Sequence, residues 1–261
     1  DALSEVREAI DFCRYYAARA RADMQPVELP GPTGERNVLR YEGRGVWAAI
    51  APWNFPLAIM AGMSVAAIVA GNTVVLKPSS DSPTIAAKFV ELTEEVGLPP
   101  GVLNFLTGSA ATGEAMVTHP KTRFISFTGS KGVGLHINEE AAKTRDGQKW
   151  IKRVVAELGG KDAIIVTDDA DIDSAAAGIV SAAFGFQGQK CSACSRLIVD
   201  EKVHDELVEK VVSLTESLRI GQPAEGETNV SAVIKKRSFD TTLNYIKKGT
   251  EEGGEVLIGG T

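Results

Sequence analysis

Three cysteines carry the most reactive side chains of this chain, and their surroundings differ. Cys191 sits in Gly188-Gln-Lys-Cys-Ser-Ala-Cys194, a run of small and polar residues between a helical pattern and a strand-like one. Small residues leave backbone N–H groups exposed and let a substrate reach a thiol nucleophile. Cys191 and Cys194 also form a C-x-x-C pair. Zinc would need further ligands, yet there is no second pair, and His119, His136 and His204 lack ligand spacing, so no metal site is expected. A thioredoxin-like redox pair would open a helix after a strand, whereas this one runs into a strand. Cys13 falls at helical spacing with Val6, Ile10, Ala17 and Ala20 and reads as a small core residue. The absence of a G-x-S-x-G elbow argues against a Ser-His-Asp hydrolase. A Cys-His-Asn hydrolase stays open on composition alone.

Two glycine-rich stretches could cradle a phosphate. Gly43-x-Gly45-x-x-Ala48 leads into a strand rather than out of one, which is the wrong context for a dinucleotide fingerprint. Gly129-Ser-Lys-Gly-Val-Gly134 follows the strand-like RFISFT and opens a helix, where free N–H groups and the positive end of the helix dipole meet an anion. No Lys-Ser/Thr follows Gly134, so it is not a Walker loop. A plain strand-to-helix turn would look similar.

These residues need a scaffold, and the hydrophobic pattern supplies one. Residues 1–22 read as a helix, and residues 23–45 as irregular with a short strand within Arg36–Tyr41. From Val46 onward, short apolar strands alternate with helices. The strands are Val46–Ala51, Thr73–Lys77, Val102–Leu106 and Arg123–Thr128. The helices are Leu57–Ala70, Pro83–Val96, Ala110–Val117 and Lys131–Ala142. Such alternation argues for a parallel sheet covered on both faces. A polar stretch, 143–152, precedes the strand Arg153–Glu157, and Gly159-Gly160 reads as a hinge. A second α/β run follows, with strands Ala163–Thr167, Arg196–Val199 and Val256–Ile258 and helices Ile172–Phe184, 201–218 and 231–250.

Composition bounds the function. The 261 residues include 28 basic and 34 acidic side chains, for a net charge of −6. That balance disfavours nonspecific nucleic-acid binding, which needs a clustered basic surface. Three cysteines are too few for a secreted disulfide framework, so a reducing compartment is expected: cytoplasm, or mitochondrial matrix in a eukaryote. The most apolar stretch, Leu57–Ala70, is too short to span a bilayer. The chain opens on Asp1, without Met, directly in a helical pattern.

Five segments in order resemble the aldehyde dehydrogenase superfamily: Ala51-Pro-Trp-Asn-Phe-Pro56, Lys77-Pro-Ser, Phe127-Thr-Gly-Ser130, Glu157-Leu-Gly-Gly-Lys161 and Gly188-Gln-Lys-Cys191. The resemblance implies a Rossmann-like cofactor domain over residues 1–158, with an N-terminal section missing and an oligomerisation strand within 23–45. It implies the first part of a truncated α/β catalytic domain over 159–261. Cys191 becomes the nucleophile, Asn54 the oxyanion donor and Glu157 the general base. Lys77, Ser80, Gly129, Ser130, Trp53, Gly108 and Leu158 become cofactor contacts, and Phe55 and Ser192 substrate contacts.

NAD is the implied cofactor; Ser80, where many members carry a glutamate, leaves NADP open because no charge repels a 2′-phosphate. Within the family the chain looks most like the glutamate-γ-semialdehyde dehydrogenases, on Phe184–Arg196 and the insert Thr144–Arg153. A small aldehyde substrate and a homo-oligomeric intact enzyme follow, with no nucleic acid or membrane partner. The chain alone is expected to be weakly active or inactive. The other readings are a non-catalytic dinucleotide-binding or assembly fragment, a member with a different aldehyde, and a nucleotide-free acyl-transfer enzyme that would leave Lys77 and the Gly129 loop unexplained.

Overall fold

The computed structural model describes residues 2–260, and the chain divides into two units, Asp1–Leu158 and Gly159–Thr261. The first unit opens with α1 (Ala2–Asp23) and an antiparallel pair, β1 (Val27–Leu29) and β2 (Asn37–Leu39). The alternating run then follows: β3 (Val46–Ile50), α2 (Ala58–Val69), β4 (Thr73–Lys77), α3 (Pro83–Glu95), β5 (Leu103–Phe105), α4 (Ala110–Thr118), β6 (Thr122–Thr128), α5 (Lys131–Ala142) and β7 (Arg153–Glu157). These five strands form one sheet in the order β5-β4-β3-β6-β7, with every pairing parallel.

Side-chain alternation sorts the core into two layers. On one face of the sheet, Ala48, Ile50, Ile125 and Phe127 pack with Met116 and Val117 of α4 and Ile137 and Ala141 of α5. On the other, Ala49, Ala51, Val74 and Leu76 pack with Met60 and Ala67 of α2 and Ala86 of α3. The central strand β3 carries alanines at 48 and 49, which lets helices approach closely from both sides. Trp47 shares the α2 face and donates its indole N–H to Ser126 Oγ at 2.7 Å. Cys13 departs from expectation: it is exposed rather than a core residue, because α1 buries only Ala9 fully and turns its other face outward.

The second unit holds β8 (Asp162–Val166), α6 (Ile172–Phe184), a 3-10 turn (Gly185–Gly188), β9 (Cys194–Val199), α7 (His204–Glu216) and α8 (Lys236–Glu251). β8 and β9 pair in parallel. Their core, Val166, Ala176, Ile179 and Leu207, comes from β8, α6 and α7. The face that α6 buries carries Ala176, Ile179 and Val180. The last helix starts at Lys236, five residues later than its periodicity suggests. Val256–Ile258, expected as a strand, is not one: an apolar triplet becomes a strand only by pairing, and among the described residues nothing pairs with it.

Candidate active site

Strand order reverses at β3: the chain builds β4 and β5 on one side of it, then crosses to place β6 and β7 on the other. In open parallel sheets that reversal leaves a crevice beyond the carboxyl ends of the strands, where ligands bind. The first unit's sequence-identified residues all sit at those ends. Trp53, Asn54 and Phe55 follow β3, Lys77 ends β4 and Ser80 follows it. Gly108 follows β5, Gly129 and Ser130 follow β6, and Glu157 and Leu158 close β7.

Alternation also decides which face each side chain serves. In Thr73–Lys77, Val74 and Leu76 enter the α2 layer, so Val75 and Lys77 face α4 and α5. Lys77 is in register with Ile50, and the two floor a cavity of about 440 Å³. Its walls include Ala110, Gly113 and Glu114 of α4 with Val133, His136 and Ile137 of α5. Such a volume suits a small ligand moiety. Lys77 is only 7% exposed, and its ammonium donates to the Pro78 carbonyl at 3.2 Å. Burial pushes its pKa below the ordinary lysine value. The Ser80 hydroxyl donates to the Gly108 carbonyl at 3.0 Å, tying together the loops after β4 and β5.

The glycine loop has a steric reason for its sequence. A Cβ on Gly129 would lie 2.5 Å from the Phe127 ring, so only glycine lets the chain fold over that side chain. The Gly129 N–H donates to the Glu157 carbonyl at 3.0 Å, linking the loop to the end of β7. The first turn of α5 keeps its N–H groups available to an anion, since Ser130 makes no side-chain cap bond. Leu158 packs over Gly134, where a Cβ would meet its methyl at 2.4 Å, so its side chain supports this turn. On the opposite face, Thr128 Oγ1 points at Met63 Sδ of α2, and Glu157, its register partner, shares that face and is exposed.

In the second unit, Cys191 and Ser192 are exposed in the turn between the 3-10 segment and β9. Gly160 lies close under this turn: a Cβ there would sit 2.9 Å from the Cys191 carbonyl. Just upstream, Phe186 and Gln187 both take φ of 56°, a left-handed conformation that costs a non-glycine residue about 1–2 kcal/mol. Gln189 fixes the segment by accepting from the Ile234 N–H at 2.9 Å.

Sequence reasoning missed several of these features. His136 and Glu114 join α5 to α4 across the cavity wall at 2.8 Å, and that carboxylate raises the imidazole's pKa. Lys152, from the polar insert, is buried and donates to the Val117 and His119 carbonyls at 2.5 and 2.8 Å, capping the end of α4. Both arise from residues whose partners lie more than twenty positions away.

Taken together, the parallel sheet reversing at β3, the glycine turn opening α5 and the lysine-floored slot define a doubly wound unit of the dinucleotide-binding type. The aldehyde dehydrogenase family model matches residues 1–261, so the chain belongs to that family. The 1-pyrroline-5-carboxylate dehydrogenases of Bacillus subtilis and Geobacillus kaustophilus are 51% and 50% identical over 261 residues. Each match covers all of this chain and 50% of the relative, so the chain spans about half the length of these curated relatives. A crystal structure of 1-pyrroline-5-carboxylate dehydrogenase from Thermus with bound NAD matches with a TM-score of 0.94 and 46% identity, over 98% of this chain and 50% of that one. Proline utilization A from Bdellovibrio bacteriovorus matches with a TM-score of 0.94 and 45% identity, over 98% of this chain and 27% of that one.

Proposed function

We propose that the protein to which this chain belongs oxidises an aldehyde to a carboxylic acid with NAD, and that the aldehyde is L-glutamate γ-semialdehyde, giving L-glutamate in proline catabolism. The observation that carries this is convergence: the Asn54 loop, Lys77, the Gly129 turn and Glu157 all end at one edge of one sheet. The relatives' shared name and the NAD bound in the Thermus structure supply the substrate and cofactor.

The residues fit NAD. Lys77 would hydrogen-bond the adenosine ribose at the floor of the slot, and the first turn of α5 from Ser130 would hold the pyrophosphate. Trp53, Ser80, Gly108 and Leu158 complete the assigned contacts. NAD, when bound, accepts the hydride. The chain's own residues do the rest. The Cys191 thiolate attacks the carbonyl carbon, and the oxyanion is stabilised by the Asn54 side-chain amide and the Cys191 backbone N–H. Loss of hydride converts the thiohemiacetal to a thioester. Glu157 takes a proton from water, which adds to the thioester and releases the carboxylic acid and the thiolate. Phe55 packs on the substrate's aliphatic stem, and Ser192 contacts its carboxylate.

The substrate is a small molecule. No helix among the described residues is long and apolar enough to cross a membrane. We place the intact enzyme in the cytoplasm as a homo-oligomer. The test is NADH formation by the full-length enzyme with L-glutamate γ-semialdehyde and with unrelated aldehydes. Cys191→Ala should abolish turnover and leave NAD binding intact. Turnover retained in that variant would overturn the assignment.

A further inference from the structure

The helix that follows Asn54 begins without a cap of its own. Its N-cap position, Leu57, has no side chain able to accept, and its first turn carries no acidic residue. The Ile59 N–H already donates to the Phe55 carbonyl at 3.2 Å, so helical hydrogen bonding reaches back to Phe55, and Asn54 is the residue immediately before it. This leaves the Leu57 and Ala58 N–H groups as orphan donors of the kind every helix start presents.

Glu5 of α1, more than fifty residues away in sequence, takes both. Its Oε2 accepts from Leu57 N at 3.3 Å and its Oε1 from Ala58 N at 3.5 Å. The bonds are long, but one carboxylate straddles the positive end of the α2 dipole. Glu5 pairs with no cation among the described residues. Nor is it loosely placed, because α1 packs tightly on α2: the Phe12 ring comes within 3.1 Å of where a Gly62 Cβ would lie. The other end of the loop is fixed as well, since the Ala51 N–H donates to the Lys77 carbonyl at 3.0 Å.

We propose that Glu5 is a positioning residue for the oxyanion donor Asn54, supplying from α1 the cap that holds the start of α2 and so the loop between Ile50 and Leu57. The proposal rests on the catalytic reading given above. It explains an acidic side chain placed in a half-buried, cation-free position. Burial raises the Glu5 carboxyl's pKa, opposed by its two backbone bonds, with Glu8 on the same helix adding to the rise. The 51–57 loop and α2 carry no titratable side chain, so Glu8 is the charged group bearing on it.

The experiment is a kinetic double-mutant cycle in the full-length enzyme, with Glu5→Gln, Glu5→Ala and Asn54→Ala, each rate normalised to titrated active sites. Glu5→Ala should lower kcat about tenfold or more, up to the roughly 10²–10³-fold loss typical of deleting an oxyanion donor outright. The KM values for aldehyde and NAD should stay within about twofold. In the Asn54→Ala background, Glu5→Ala should cost almost nothing further, because the residue it positions is gone. Glu5→Gln keeps shape and loses charge; it should lower kcat less and remove from the acid limb of the kcat profile a carboxyl group raised from the ordinary glutamate value. If Glu5→Ala does not fold, Glu5→Gln and Glu5→Asp carry the same cycle. Equal losses in both backgrounds, or no loss in the first, would overturn the proposal. Wild-type enzyme without dehydrogenase activity, or Asn54→Ala at full rate, would instead overturn the catalytic reading on which it rests.

Discussion

Lys77→Met should make the ligand-free protein more stable and dinucleotide binding weaker, two effects of opposite sign from one substitution. The side chain is 7% exposed, ends in an ammonium with one carbonyl acceptor at 3.2 Å, and has no carboxylate partner among the described residues. An under-satisfied buried polar group costs about 1–3 kcal/mol. Because Lys77 keeps one carbonyl acceptor and borders the cavity of about 440 Å³, the low end applies, about 1 kcal/mol. Methionine keeps the unbranched shape and discards the charge. For a domain of this size the relief corresponds to a rise in Tm of roughly 2–4 °C without ligand. Against it stands the loss of a charge-assisted hydrogen bond to ribose, about 1.5–3 kcal/mol, or roughly a 10- to 150-fold weaker Kd for NAD. Burial holds the Lys77 pKa below the ordinary lysine value, so wild-type affinity should decline as pH rises through that lowered value, while the variant's profile stays flat. Differential scanning fluorimetry with and without NAD, together with calorimetric titration across pH, reads all three. A variant that melts lower and binds NAD as tightly as wild type would refute both the burial argument and the assignment of the slot.

Other positions give independent checks. Glu157→Gln should let the first half-reaction proceed and accumulate acyl-enzyme, visible by intact-protein mass spectrometry; a normal deacylation rate would remove Glu157 as the base. The His136–Glu114 pair raises the histidine's pKa. Its contribution is therefore complete below the unfolded histidine value and lost as pH climbs through the raised folded value. His136→Leu should abolish that part of the pH dependence of Tm, and an unchanged profile would show that the pair contributes nothing. Gly129→Ala forces a Cβ to within 2.5 Å of the Phe127 ring. Overpacking of this kind costs about 1–3 kcal/mol, so thermal melting should fall, and NAD affinity should fall with it as the turn opening α5 is displaced.

Much of the first unit was legible because its signals are local. Strands such as Thr73–Lys77 are short and apolar, the helices between them have one buried face, and parallel order follows from alternation. The site residues were legible as motifs, and their placement at strand ends follows from the same alternation. What escaped was set by distance. Glu5 meets Leu57 and Ala58 only once α1 has packed on α2. Lys152 caps α4 only once β7 has joined the sheet. Phe186 and Gln187 take left-handed φ values that neither residue type announces. Val256–Ile258 erred the other way: its apolar composition promised a strand, but pairing is not a property of a triplet.

Register, more than residue identity, divides the work at this edge of the sheet. Ile50 pairs with Lys77, and both face α4 and α5, which places the lysine in the slot proposed for the nucleotide. Thr128 pairs with Glu157, and both face the α2 side, on which the Asn54 loop begins its helix. The residues proposed to contact adenosine therefore lie on one face of the sheet and the proposed base and oxyanion helix on the other, with the Gly129 turn between them, tied to Glu157 by a backbone bond. Because side chains alternate with a period of two, a one-residue slip in β4 would carry Lys77 into the α2 core and Leu76 into the slot. The apolar runs on both faces make such a slip costly, since Val74 and Leu76 are fully buried where they stand. The packing that stabilises the sheet is thus the same constraint that assigns each strand-end residue to its face.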